Sequence, residues 1–483
     1  MGEKELESAN VDMWHESLQT SIPSFFGVVS DVVHVLILIR FLTQEEVGLF
    51  FVCYAFLYLF SQIPRGFGIG IRKKASEVNE GRAAYLWSGF ILILPTLFLV
   101  FILFLLSQPL LKTYASIDIP LDVLFAFYLA TFGFSVLEFS RYYVAGCGKP
   151  AIAEKLRTGI AKTTMPILTV LFLSFKPTVT YALYAVSVSY IGTSIIIFTY
   201  AENELKPPTK EILYDILLFS KWSILTSILN DFYRRFDTIM LSAFVGAVAV
   251  SYYDSSLRIA FLSATFAVGI SKTSNVKMSG LVETNKDITE IASKTIVVTP
   301  LLILPLLLVS LFNAEFILST LYSPEYKSAK IYFILLIIVE LFQGYRLQFE
   351  SIFNSYNMPE YNTRISLASV ILNIITAPPL VIYFGGLGVL YSTILAEILR
   401  LSLFEFRIKK IMNQFLLPKA TVIQFLIFAV LVILLHGINL IFQLNNITSL
   451  VLSSIFATIV FYSVLYKFSN SVQEIVKEYK NEK

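Results

Sequence analysis

A chain of 483 residues that is 56% hydrophobic and only 15% charged is no average soluble domain, which carries about 25% charged residues. Apolar runs of roughly twenty residues recur from end to end, each long enough to cross a bilayer as a helix, and the alternating segments of a membrane barrel are absent. A formal net charge of +3, two separated cysteines (Cys53, Cys147) and three scattered histidines (His15, His34, His436) leave no nucleic-acid surface, disulfide framework, metal spacing or cofactor motif to account for.

The pattern predicts an all-α polytopic membrane protein of about fourteen helices. Residues 1–16 are polar and mixed in charge, which reads as a cytoplasmic segment and not a cleaved leader. The first helix spans about 18–42 and holds Asp31 and His34. The turn TQEE leads to a second, about 46–71, which contains Arg65 and runs into GFGIGIRKK. A third follows at about 84–106. The fourth, about 120–146, carries Glu138 and Arg141. The turn GCGKP opens a fifth, about 151–175, with Lys155, Arg157 and Lys162, and a sixth covers about 178–201. The linker at 202–211, ENELKPPTKE, marks a boundary by its prolines and charges. The seventh and eighth helices, about 212–244 and 247–274, carry Asp231, Arg234, Arg235, Asp237, Asp254 and Arg258. Further helices follow at about 291–312, 327–356 (Glu340, Arg346, Glu350), 361–384, 386–408 (Glu397, Arg400, Glu405), 420–441 and 447–467. The expected organisation is therefore a lobe at 17–201, a lobe at 212–410, two further helices within 411–467, and a cytoplasmic tail at 468–483.

Charge orients the helices. With the N-terminus inside, the inner segments hold Arg72, Lys73, Lys74, Arg82, Lys149, Lys155, Arg157, Lys206, Lys210, Lys409 and Lys410 among others. The outer loops hold only Lys112, Lys176, Lys327 and Lys330, with Arg40 at a helix end. This bias follows the positive-inside rule and predicts a multi-pass plasma-membrane protein with both termini in the cytoplasm.

An internal repeat is visible. FLTQEEVGLFF from Phe41 lies over FVGAVAVSYYD from Phe244, which sets Gly66 over Gly269. Further on, AGCGKPA at 145–151 lies over NSYNMPEY at 354–361, with Pro150 meeting Pro359. Two copies of one six-helix unit, inserted in the same sense, are expected, with the substrate path where the repeats meet.

Three stretches carry a family resemblance: V-G-L-F followed by GFGIGIRKK, RYYVAGCGKPAIAEKLR, and above all RRFDTIMLSAFVGAVAVSYYDSSLRIAFL. The chain resembles polysaccharide transporters, the O-antigen-type flippases of lipid-linked oligosaccharides. These belong to the multidrug/oligosaccharidyl-lipid/polysaccharide (MOP) superfamily, which also holds multidrug and toxin extrusion (MATE) proteins and lipid II flippases. Ser251 stands where many relatives have Gly. The resemblance implies a MATE-like pair of six-helix lobes plus two C-terminal helices. It implies alternating access that moves a glycan on a polyprenyl phosphate or pyrophosphate from the cytoplasmic to the outer leaflet.

The residues themselves point toward an anion. Guanidinium groups at bilayer depth are costly and normally face a bundle interior or wet cavity, and the planar Arg fork suits phosphate oxygens. Candidate substrate-binding residues are Arg65, Arg141, Arg234, Arg235, Arg258 and Arg346, in a cationic cavity holding the phosphate. Glu138/Arg141, Arg346/Glu350, Asp231/Arg235 and Arg234/Asp237 stand three or four apart on their helices, so each reads equally as a structural pair. Arg400 and Lys221 read as snorkelling to the headgroups. Asp31, His34 and Asp237 are candidates for ion coupling, against the plainer reading of buried hydrogen-bonding groups. The glycines of GFGIG read as packing positions, and GCGK lacks the hydroxyl residue of a phosphate loop.

The expected partners are a lipid-linked glycan, membrane lipids, a coupling cation or the membrane potential, and glycosyltransferases of the same pathway, with no nucleic acid. A cation-coupled multidrug exporter of the same fold is the alternative. Short loops disfavour a membrane glycan polymerase or ligase, so no enzymatic activity is expected.

Overall fold

The computed structural model describes residues 13–77, 82–115, 119–201, 207–412, 419–442, 447–469, 472–474 and 477. The expected cytoplasmic segment before residue 13, the first half of the 202–211 linker and most of the tail lie outside the described residues. What is described is all-α, and no strand occurs among the described residues.

The chain divides into two compact units, one of residues 30–254, the other of the residues up to 29 with those from 255 onward. The first unit holds the main part of α1 (Met13–Phe41), then α2 (Gln44–Phe60), α3 (Gln62–Ser76), α4 (Ala83–Ala115), α5 (Leu121–Gly146) and α6 (Pro150–Leu156). One π-helical turn, Arg157–Ala161, follows, then α7 (Lys162–Phe175), α8 (Val179–Phe198), α9 (Lys210–Phe244) and the opening turns of α10 (Ala247–Glu283). The second unit holds the start of α1, the remainder of α10 and α11 (Thr289–Leu321). It continues through a 3-10 turn at Pro324–Ala329 into α12 (Lys330–Ser355), α13 (Pro359–Phe384), α14 (Gly386–Met412), α15 (Lys419–Phe442) and α16 (Ile447–Phe468).

Eleven helical stretches among the described residues are long and apolar enough to cross a membrane, against the fourteen expected. Neither α9 nor α10 is among them, nor is α16. The first two hold the charged hairpin of the sequence, and the side chains that make it functionally interesting also make it too polar to stand out as a span.

Local chemistry explains the breaks. α2 starts in a capping box: Glu46 N–H donates to Thr43 Oγ1 at 3.3 Å and Thr43 N–H to Glu46 Oε2 at 3.0 Å. Pro64 has no N–H for the carbonyl of Phe60, so the rod is interrupted at Ser61 and resumes as α3. Pro166, Pro305, Pro378 and Pro379, the expected bending points, all lie inside continuous helices.

The two turns matched by the repeat adopt one backbone conformation. Gly148 has φ +84° and Asn357 φ +56°; the next residues, Lys149 and Met358, both have φ −117° and ψ 48°. In each, three amides bond back in the same order, Cys147→Tyr143, Gly148→Ala145 and Lys149→Val144 against Tyr356→Ile352, Asn357→Asn354 and Met358→Phe353. This left-handed cap is the common way to end a helix, and the Pro at the next position starts the following one.

Small residues set the packing, as expected where lipid removes the hydrophobic drive. In the first unit α5 packs along α8 through Ala126, Ala130, Gly133 and Ser135 against Ala182, Ala185, Val186 and Ser189, all buried or nearly so. A Cβ on Gly66 would stand 2.9 Å from the backbone of Ile224, so α3 lies directly on α9. Its repeat partner Gly269 lies in the second unit, where a Cβ would meet Ser17 O at 3.0 Å and bring α10 against α1. Also in that unit, Ser271, Ser351, Gln348 and Ser355 tie α10 to α12. Gln348 donates to Ala267 O at 3.1 Å, and the Ser271 and Ser351 hydroxyls meet at 2.7 Å.

Candidate cationic site

The first unit gathers arginines around one buried carboxylate. Glu138 on α5 is 1% exposed. Arg141 Nη2 donates to its Oε2 at 2.8 Å, Arg157 Nε donates to its Oε1 at 2.7 Å, and Arg65 Nε stands 3.8 Å from Oε2. Three helical elements meet here: α3 brings Arg65, α5 brings Glu138 and Arg141, and the π turn brings Arg157. Short π segments inside α-helices recur at functional sites.

A second carboxylate closes the outer side. Glu154 on α6 accepts from Arg141 Nη1 at 2.9 Å and from Arg157 Nη1 at 3.2 Å. Tyr142 packs inside the cluster. Its hydroxyl accepts from Arg65 Nε at 3.2 Å, and its ring lies under Arg141 at 4.2 Å and near Arg72 at 5.4 Å.

Gln62 extends the network to α9. Its Oε1 accepts from Arg65 Nη1 at 3.4 Å, and its amide nitrogen donates to Asp231 Oδ2. Arg235, Arg234 and Arg65 are the cations that act on the Asp231 carboxylate. Arg235 also lies over the Tyr58 ring at 4.4 Å. Tyr58 belongs to a tyrosine cluster in which Tyr54 and Tyr190 share a 2.6 Å hydrogen bond.

Of the candidate substrate residues, then, Arg65 and Arg141 converge on Glu138, Arg235 reaches the same network through Asp231, and Arg234 is exposed at its edge. Arg258 and Arg346 lie in the other unit. There Arg346 Nε is 3.9 Å from Glu350 Oε1, the expected helix pair in a loose form. The Glu138/Arg141 pair is real, but it is half of a larger arrangement and not a closed pair. Arg400 does not snorkel. It is fully buried and donates to Glu397 at 2.8 Å.

The ion-coupling candidates have separate partners. Asp31 pairs with Lys162. His34 is buried, with its ring edge-on to Phe50 at 5.7 Å. Asp237 is buried and accepts from the Tyr253 hydroxyl at 2.8 Å, while Asp254 accepts from Thr238 at 3.0 Å.

Sequence reasoning missed Arg157, Glu154, Gln62 and Tyr142 as site residues. Arg157 read as an orienting charge beside a cytoplasmic turn. A signal was present: Arg141 lies seven residues before Gly148 and Arg157 nine after it. A helical hairpin turning at Gly148 brings such positions face to face.

Comparison with known proteins agrees with this architecture. A sequence model of the family described as polysaccharide biosynthesis protein matches residues 25–274, and one described as MatE matches residues 223–378. The probable low-salt glycan biosynthesis flippase Agl15 of Haloferax volcanii is 23% identical over 398 residues, covering 80% of this chain and 81% of that protein. Among solved structures, the lipid II flippase MurJ in an inward closed conformation superposes with a TM-score of 0.77 at 15% identity, over 93% of this chain and 99% of that one. An inward-facing multidrug MATE transporter of the MOP superfamily gives 0.66 at 17% identity, over 80% and 96%. The fold shared with both is the MOP helical fold.

Proposed function

The chain belongs to the polysaccharide biosynthesis protein family, and we propose that it is a flippase for a lipid-linked oligosaccharide. It moves the glycan, carried on a polyprenyl phosphate or pyrophosphate, from the cytoplasmic to the outer leaflet by alternating access. It works as a transporter and not as an enzyme.

The observation that carries this reading is the excess of guanidinium groups over carboxylates in one network. Arg65, Arg141, Arg157 and Arg235 face Glu138, Glu154 and Asp231, with Glu138 buried among three of them. Such a site favours an anion, and guanidinium forks favour phosphate. Tyr142 and Tyr58 add aromatic faces that suit a sugar. The printed name of Agl15, a glycan biosynthesis flippase, supports the same substrate class. The MATE likeness leaves a multidrug exporter as the second reading, but an exporter of cationic drugs gains nothing from a surplus of arginines.

The remaining parts follow from this reading. The six-helix lobes at 17–201 and 212–410 are the moving bodies, with Arg258 and Arg346 serving the second. The two helices within 411–467 flank the prenyl tail. An apolar cavity of about 270 Å³ between α11 and α16, walled by Val309, Phe316, Ile317, Ile455 and Ile459, supports that role. The protein sits in the plasma membrane with both termini in the cytoplasm, where glycosyltransferases of the pathway deliver the substrate. A cation or the membrane potential drives the cycle through Asp31, His34 and Asp237.

Deletion of the gene tests the proposal. Lipid-linked glycan is expected to accumulate on the cytoplasmic face. The wild-type gene is expected to clear it, and Arg65→Ala or Arg141→Ala to fail. Normal surface glycosylation after deletion, in a cell with no second copy, contradicts it.

A further inference from the structure

The outer face of the arginine cluster contains a bridge with an unusual division of labour. Arg141 and Arg157 are joined twice. On the buried side Glu138, 1% exposed, takes Arg141 Nη2 at 2.8 Å and Arg157 Nε at 2.7 Å. On the open side Glu154, 51% exposed, takes Arg141 Nη1 at 2.9 Å and Arg157 Nη1 at 3.2 Å. The two carboxylates are not equivalent. Glu138 is enclosed and orients both forks. Glu154 is half in solvent and occupies the one pair of donors that a ligand can reach.

We propose that Arg141 and Arg157 form a phosphate subsite and that Glu154 is a displaceable stand-in for the ligand's anionic oxygens. A carboxylate presents two oxygens on one atom, and so does a phosphate, with more charge and a further oxygen to spare. A half-exposed ion pair holds weakly because water and salt screen it, whereas guanidinium–phosphate pairs are among the stronger charge-assisted contacts. Exchange costs no helix. Glu154 is tethered only through its side chain, to Arg157 and Arg141 and to the Thr158 hydroxyl at 3.4 Å, so it swings outward while α6 stays in place. Arg157 is presented by the π turn, and Arg141 is braced by the ring of Tyr142. Both forks therefore keep their orientation when Glu154 leaves. Without a ligand, Glu154 prevents two guanidiniums from facing each other across open water, so the empty site is quiet and the occupied one is anion-specific.

The natural ligand, a lipid-borne phosphate or pyrophosphate, rests on the flippase reading, but the exchange itself does not. It is tested by equilibrium binding of inorganic pyrophosphate and of farnesyl pyrophosphate to the full-length protein in neutral-lipid nanodiscs. Removing the competing charge with Glu154→Gln is expected to tighten pyrophosphate binding roughly three- to tenfold. Arg157→Gln, which leaves Glu138 held by Arg141, is expected to weaken it by about tenfold or more. Glu154→Gln binding no tighter than wild type, or Arg157→Gln binding equally well, overturns the proposal when the unfolding temperatures are unchanged.

Should either variant fail to fold, the wild type still decides. Pyrophosphate is expected to increase carbodiimide-driven amine coupling at Glu154, read by peptide mass spectrometry, and unchanged coupling overturns the exchange. Farnesyl pyrophosphate binding more tightly than inorganic pyrophosphate assigns the subsite to a lipid-borne anion, and equal binding assigns it to a free one. Exchange in vitro with no glycan-lipid build-up on gene deletion keeps the subsite and removes the flippase.

Discussion

Glu138 is the residue on which the cationic site depends. A carboxylate taken this far from water is tolerated because two guanidiniums bond it and a third stands near. Removing one partner of such a buried pair costs about 3–5 kcal/mol, because the others are left uncompensated. Glu138→Ala is therefore expected to destabilise the protein by that amount, read as a fall in thermal unfolding temperature in detergent. A variant as stable as wild type means the arginines are held by something else. Asp31 poses a different question, since its partner is Lys162. If that ion pair is structural, exchanging the charges in Asp31→Lys with Lys162→Asp restores the transport that each single change loses. If Asp31 must itself bind a coupling ion, the double variant stays inactive. At this scale the sequence showed which residues are expensive but not which ones meet. Asp231 and Arg235 stand four apart and read as a helix pair, yet Asp231 also takes a hydrogen bond from Gln62, 169 residues away. Long-range contacts of that kind are set by how helices pack, and spacing along one helix says nothing about them.

Elements were legible where periodicity, caps and breakers agree. The helix ends at TQEE, GCGKP and the 207–208 prolines are written in turn chemistry. The charged hairpin shows the limit of apolarity as a guide, because α9 and α10 carry function in place of hydrophobic surface. The approach of α3 to α9 rests on Gly66, where a methyl group would stand 2.9 Å from backbone atoms of Ile224 that cannot move aside. Gly66→Ala is expected to cost about 1–3 kcal/mol, the usual range for overpacking, and to impair transport by displacing the neighbouring Arg65. Gly159, in the π turn, has open space around its missing Cβ, so Gly159→Ala is expected to leave the unfolding temperature nearly unchanged. Equal effects from the two substitutions contradict this packing account. The break at Ser61 has a cause visible in Pro64, but its consequence is not visible in sequence: the new helix angle carries Gln62 and Arg65 to the cluster.

For the whole molecule, the weak internal repeat proved the most informative sequence feature. Its matched turns share φ and ψ at Lys149 and Met358, and its matched glycines both sit at close helix approaches, Gly66 in one unit and Gly269 in the other. The fold was therefore largely legible. The site was legible in kind, as buried arginine, and only partly in membership, because Arg157 looked like an ordinary orienting charge and Glu154 like its solvent partner.

The most direct test of the central claim is translocation by the purified protein in sealed vesicles. These carry a polyprenyl-pyrophosphate-linked oligosaccharide in the inner leaflet, with outer-leaflet glycan read by an added glycosidase. Wild-type protein is expected to expose the glycan above the protein-free rate, and Arg65→Ala and Arg157→Ala to fall back to that rate while remaining folded. Wild-type vesicles no faster than protein-free ones, or arginine variants as fast as wild type, would contradict a flippase that works through its cationic cluster.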